Sequence, residues 1–405
     1  VLNNGGREMK YDFETLVDRS QNGSAKWNGM KDHNPAVAKN IAPLSVADLD
    51  LKLAPEIAEG MLEFMQNNPV FGYTNGTAAY YDAVINWMKD KHNYQVEKEW
   101  IVLSNGVVPA LSDGVTAFTE ENDGVIIFTP VYYPFYRAIE LNNRRVQRCP
   151  LINHENSYQI DFDKFEELAK QANTKLLILC NPHNPVGRVW TKEELEKIAD
   201  ICLNNGIIIL SDEIHEDLTM PGYTHYPIAV LSEVIGDITV TCTAPSKSFN
   251  IAGLQGSNII IKNKELRAKF IAQQEKKGFF TLNTLSFEAT RLAYTKGDAW
   301  LAEFKTLIHH NYDILVDFIK KNLPSVTVYP LEGTYLAWLD FRNLGYDYLE
   351  LEKKMIAADL YLDEGYVFGQ EGEGFERINI ACPTWVLKEA LERLKNAFSG
   401  PQVSK

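Results

Sequence analysis

The sequence is poor in the features that mark secreted, membrane-bound or nucleic-acid-binding chains. It has five cysteines, Cys149, Cys180, Cys202, Cys242 and Cys382, with no C-x-x-C pair. The odd count and the spacing exclude a disulfide framework and a cysteine zinc site, and predict reduced thiols. The eight histidines form no H-x-x-x-H step, so no metal is expected. No apolar run approaches the roughly 18 residues that span a bilayer. Basic residues are in deficit, 40 Lys and Arg against 54 Asp and Glu, for a net charge of −14. A chain this acidic repels phosphate backbones and anionic membranes, so neither nucleic acid nor membrane is an expected partner. The densest basic group, Arg144, Arg145 and Arg148, reads as a solvated helix end and strand start. Residues 1–8 are polar, carry no signal-peptide core and read as an appendage ahead of Met9. A cytoplasmic location is therefore expected, and Asn22-Gly-Ser and Asn75-Gly-Thr then match the glycosylation triplet by chance.

What is present is ample core material. The chain has 405 residues, of which 45% are hydrophobic and 23% charged, more than one core usually holds. Residues 53–68 read as an amphipathic helix opened by Pro55, and 76–92 as another. Short apolar, β-rich runs come next, at 101–103, 125–128, 176–180, 207–210, 238–242 and 258–261. Helical patterns lie between several of them, such as 192–204 behind the start signal Thr191-Lys-Glu-Glu. Unbroken apolar strands alternating with helices predict an α/β fold with a mostly parallel central sheet covered on both faces. Beyond about residue 286 the pattern changes to long helices, 286–296 and 298–322, then strands at 326–329, 335–340 and 377–381 among helices at 347–358 and 384–398. This predicts a smaller α+β domain at 291–405, joined by the N-terminal segment 9–50, around a large domain at 51–290.

The chemistry lies in the residues just after each strand, because open parallel sheets bind ligands beyond the carboxyl ends of their strands. The successive runs lead into Ser104-Asn-Gly-Val-Val-Pro, Thr129-Pro-Val-Tyr-Tyr, Asn181-Pro-His-Asn-Pro-Val-Gly, Ser211-Asp-Glu-Ile-His and Thr243-Ala-Pro-Ser-Lys. Glycine amides, a Tyr, an Asn, an Asp and a Lys are thus delivered to one edge. Pyridoxal phosphate needs this set. It needs an amine to condense with its aldehyde, a carboxylate against its pyridine nitrogen, a donor to its phenolate oxygen, an aromatic face, and a phosphate cradle at a helix N-terminus. Taken singly, each residue has a plainer reading: Lys247 as a solvated amine, Asp212 as a helix cap, Asn184 as a turn residue, Tyr132 as a core aromatic, Arg377 as a surface ion pair.

The ordered passages Asn181-Pro-His-Asn-Pro-Val-Gly, Ser211-Asp-Glu-Ile-His and Ser246-Lys-Ser-Phe-Asn-Ile-Ala-Gly resemble the class I/II aminotransferase superfamily, of PLP-dependent fold type I. They are spaced 28 residues from Asn184 to Asp212 and 35 from Asp212 to Lys247. Within it, Leu44-Ser-Val-Ala-Asp-Leu-Asp, Phe71-Gly-Tyr-Thr, Pro130-Val-Tyr-Tyr-Pro-Phe, Thr243-Ala-Pro-Ser-Lys and Glu332-Gly-Thr-Tyr resemble the cystalysin and cystathionine β-lyase branch, over roughly residues 10–398. The resemblance implies roles residue by residue. Lys247 would hold the cofactor and move protons, Asp212 would pair with the ring nitrogen, Asn184 would donate to the phenolate oxygen and reach the substrate, and Tyr132 would stack on the ring. Gly106, Val107 and Ser246, with Thr243 a further candidate, would cradle the phosphate. His215 would contact the site, Tyr73 would reach the phosphate of a neighbouring subunit in a homodimer, and Arg377 would clamp the substrate carboxylate.

Three departures point away from a standard transaminase. Gln255 stands eight residues after the lysine where many have Arg, His215 stands three after the Asp where many have Tyr, and Ala244 stands three before the lysine where Ser or Gly is usual. The expected reaction is therefore α,β-elimination on L-cystathionine, L-cysteine, cystine or related S-substituted cysteines, giving pyruvate, ammonia and a thiol or hydrogen sulfide. The alternatives are an aminotransferase, or a regulatory protein that keeps the fold without turnover.

Overall fold

The computed structural model describes residues 9–38, 40–154 and 157–398; residues 1–8, expected to be an appendage, lie outside them. The strands in chain order are β1 (Ile101–Ser104), β2 (Gly124–Thr129), β3 (Arg145–Pro150), β4 (Ile152–His154), β5 (Ser157–Gln159), β6 (Thr174–Cys180), β7 (Ile208–Asp212), β8 (Thr239–Thr243), β9 (Ser257–Ile260), β10 (Thr327–Val328), β11 (Leu336–Asp340), β12 (Asp363–Glu364) and β13 (Phe375–Asn379). Seven form one sheet in the order β1-β9-β8-β7-β6-β2-β3. β2, β3, β6, β7 and β8 pair in parallel, whereas β9 runs antiparallel to both of its neighbours. The expected mostly parallel sheet is present, with one strand reversed.

β2 is buried along its whole length. Ile126 and Ile127 point to opposite faces and both are inaccessible, as a sheet covered on two sides requires. Each such side chain contributes about 1.5–3 kcal/mol. The helix Lys192–Asn205 begins with a full capping box between Thr191 and Glu194, so the start signal in the sequence is used as written.

Register aligns the chemistry. Cys180 stands beside Asp212, and Asp212 beside Cys242. The loops that leave β6, β7 and β8 therefore emerge side by side. A second sheet, β10-β11-β13-β12, is antiparallel throughout. The N-terminal segment adds to it, since Leu44 N–H donates to Tyr361 O and Leu44 O accepts from Asn379 N–H.

Candidate active site

A cavity lies at the carboxyl edge of the large sheet, lined by Gly106, Tyr132, Asn184, Asp212 and Lys247 among others. The five strand ends singled out in the sequence thus converge on one space.

Its first wall is the start of the helix Val107–Phe118. Gly106 caps that helix at φ +137°, a conformation that L side chains rarely adopt. A Cβ there would also stand 3.2 Å from Pro109 Cδ. The bare turn leaves the first N–H groups of the helix facing the cavity, where the helix dipole favours an anion. Ser246 lines the same cavity.

Asp212 ends β7, and one of its oxygens accepts from Ile214 N–H at 3.2 Å. Burial raises its carboxyl to about 7, against the pull of that N–H and of Lys247. Lys247 Nζ donates to Ala47 O at 2.7 Å. Burial lowers this amine to about 8; Asp48 opposes the shift, Arg377 adds to it and Asp212 opposes it.

The Ala47 carbonyl also accepts from Tyr335 Oη at 3.0 Å. Its loop is fixed from several sides. Asn379 Nδ2 donates to Val46 O and Asp48 O, each at 2.8 Å, and Asn250 bonds Leu49 through both its amide atoms. A buried ion cluster anchors the loop's end: Arg19 and Lys26 pair with Asp50 at 2.7 and 2.9 Å, and Trp27 Nε1 donates to the same carboxylate at 2.8 Å.

Asn184 Oδ1 accepts from Arg377 Nη1 at 2.8 Å. Arg377 lies on β13 directly across from Asp363 and pairs with it at 2.5 Å. Its Nε is buried without a partner, so one donor is unused; Arg377 meets the cavity through Asn184 rather than lining it itself. Tyr132 lines the cavity, and burial raises its hydroxyl to about 12. His215 also lines it, edge-on to Tyr335 with ring centroids 5.9 Å apart. Burial, then the charges of Lys247 and Arg377, hold this imidazole neutral.

Besides Arg377, two expected residues do not line the cavity. Thr243 does not line the cavity; its hydroxyl donates to Glu216 instead, because the last residue of β8 points to the other face of the sheet from the turn that carries Lys247. This corrects its expected phosphate role. Tyr73 is fully exposed, away from its own chain's cavity. Conversely, Ala47, Cys180, Ile214, Gly256 and Ser257 also line the space. Sequence reasoning passed over them because they carry no reactive group, or, as with Cys180, read as core.

The donor set fits pyridoxal phosphate: a buried amine, a buried carboxyl, an amide, an aromatic ring and a glycine-capped helix start around one cavity. The family model described as aminotransferase class I and II matches residues 39–394. A Bacillus subtilis protein named cystathionine beta-lyase PatB is 40% identical over 96% of this chain and all of its own length. The crystal structure of cystalysin from Treponema denticola, which contains a pyridoxal 5'-phosphate cofactor, superposes with a TM-score of 0.95 at 45% identity, covering 96% of this chain and 99% of that one. The pyridoxal-phosphate-bound C–S lyase from Staphylococcus hominis superposes at TM-score 0.89 and 34% identity, covering 97% and 99%.

Proposed function

The chain belongs to the class I and II aminotransferase family, and on that premise we propose that it is a pyridoxal-phosphate-dependent carbon–sulfur lyase acting on L-cystathionine, L-cysteine, cystine or related S-substituted cysteines. The observation that carries the reading is the Lys247 amine and the Asp212 carboxyl facing one cavity, in a chain 40% identical to a cystathionine beta-lyase.

The bound cofactor supplies an aldehyde that condenses with amines and a ring that accepts the electron pair left when the substrate loses its α-proton. The chain's residues do the rest. Lys247 Nζ would hold the aldehyde and, once free, would take the substrate's α-proton as general base. An amine already lowered to about 8 is suited to that role near neutral pH. Asp212 would keep a proton on the ring nitrogen; its raised carboxyl would become a stable carboxylate once a cation faced it.

Asn184 is oriented by Arg377 through its carbonyl oxygen, which leaves its NH2 to donate to the ring oxygen. Tyr132 would cover a ring face. Gly106, Val107 and Ser246 would hold the phosphate, and Arg377 would take the substrate carboxylate. The sulfur substituent departs as a thiol, or as hydrogen sulfide from cysteine, and one water hydrolyses the remaining three-carbon fragment to pyruvate and ammonia, which completes the balance.

The same reading makes the enzyme a homodimer in which Tyr73 serves the neighbouring site. It divides the chain into a large domain at 51–290 and a small one at 291–405 joined by 9–50, supported by the bonds of Leu44. It also places the enzyme in the cytoplasm, supported by five buried free thiols. No described helix is long and apolar enough to cross a membrane.

The test is pyruvate release from cystathionine, cysteine, cystine and methionine without any 2-oxo acid, with 2-oxo-acid acceptors in control reactions. Pyruvate from the cysteine-type substrates and none from methionine is expected. Amino transfer to the acceptors without pyruvate release identifies an aminotransferase instead.

A further inference from the structure

A second polar cavity, sharing no lining residue with that of Lys247, contains His92, Glu216, Asp217 and His225. These residues come from three places: the last turn of the helix Ala78–His92, the loop after β7, and the segment ahead of the helix Glu233–Asp237. One ligand atom from each of His92, Glu216 and His225 lies within 4.8 Å of the other two. We propose that these three side chains bind a divalent cation of the zinc class.

The chemistry of the cluster asks for such an ion. Three carboxylates, Glu213, Glu216 and Asp217, are buried together. Two fixed cations, Lys91 and Lys305, line the same cavity, but Lys305 donates to Thr219 at 3.4 Å. Two carboxylate oxygens, Glu213 Oε2 and Glu216 Oε2, are buried with no hydrogen-bond partner. His225 is 7% exposed, and neither of its ring nitrogens is hydrogen-bonded. Its Nε2 stands 3.3 Å from Glu213 Oε2 and His92 Nε2 stands 3.9 Å from Glu216 Oε2.

Buried polar atoms without partners are costly, and one cation among them satisfies several at once. Two imidazole nitrogens and a carboxylate are a zinc-type ligand set, and the cavity leaves room for water as a fourth ligand. Metal–ligand bonds of about 2.0–2.2 Å require each side chain to close in by roughly an ångström.

One outer partner already orients a ligand, as metal sites require. Thr243 donates to Glu216. Asp217 bonds His92 Nε2 at 2.9 Å while accepting from Trp87 at 3.0 Å and Ser248 at 2.6 Å, so a cation displaces or shares the His92–Asp217 contact. This gives Thr243 a role, and Ser248, the residue after Lys247, a link to the cluster.

The holoenzyme, stripped with chelator and equilibrated with Zn²⁺, should retain one ion per chain by elemental analysis. Co²⁺ in its place should give the visible bands of a four-coordinate site, and anomalous diffraction should put the ion between His92, Glu216 and His225. His225→Ala and the milder His225→Gln and Glu216→Gln should weaken Zn²⁺ retention by about tenfold or more, with bound-cofactor absorbance confirming that each variant folds. No retained ion, equal retention in the folded variants, or an anomalous peak elsewhere overturns the proposal and leaves the cluster a buried His92–Asp217 ion pair. These readouts do not depend on which reaction the enzyme catalyses.

Discussion

At the scale of single residues, Asp212 carries opposite consequences for stability and for chemistry. Its carboxyl is raised from 3.8 to about 7. Between those values the folded apoprotein binds more protons than the unfolded chain, so its stability falls as pH rises through that window, and the penalty stands in full above it. Asp212→Asn removes the charge. The apoprotein variant should be more stable than the parent at pH 8 by about 1–4 kcal/mol and nearly equal at pH 4, measured by urea unfolding at both values. The same substitution should lower kcat of the cofactor-loaded enzyme by roughly 10²–10³. The sequence made Lys247, Asp212, Asn184 and Tyr132 legible because each is a reactive or oriented group at a strand end. It could not make legible the Ala47 carbonyl that receives Lys247 Nζ, since a backbone acceptor leaves no trace in residue type. Thr243 was misjudged because proximity to Lys247 in sequence does not decide which face of the sheet a hydroxyl meets.

At the scale of elements, the turn from β1 into the helix Val107–Phe118 is the most constrained part of the site. Gly106→Ala places a Cβ at φ +137°, 3.2 Å from Pro109 Cδ. The backbone must shift, at a cost of about 1–3 kcal/mol. The expected outcome is cofactor affinity weakened by roughly tenfold or more with the fold retained, read by titrating pyridoxal phosphate against the visible absorbance of the apoprotein. Strand positions were legible because β2, β6, β7 and β8 are buried on both faces and read as unbroken apolar runs. The direction of β9 was not, since a short apolar run looks alike in either orientation. The β4–β5 hairpin was also missed: Ile152–His154 is exposed throughout and carries no burial pattern to read. The same limit hid the His92, Glu216 and His225 cluster, which is assembled by tertiary structure and has no local spacing.

At the scale of the whole molecule, the segment around residues 70–73 marks the surface that the homodimer would use. Val70, Phe71, Tyr73 and Phe280 are 76%, 62%, 110% and 75% exposed, and Thr281 and Thr284 bond the backbone of Thr74 and Gly72. Contiguous apolar exposure of this kind indicates an interface. Sedimentation should give a dimer. Inactive Lys247→Ala, mixed and refolded with weakened Tyr73→Ala, should recover activity, because mixed dimers hold one site with both side chains intact. A fully active monomer excludes the shared site. The measurement that bears most directly on the account is borohydride reduction of the resting holoenzyme followed by peptide mass analysis. The account predicts one reduced pyridoxyl phosphate group per chain, on the peptide that contains Lys247 and on no other. A label on a different lysine, or no label in a protein that still releases pyruvate, would contradict it.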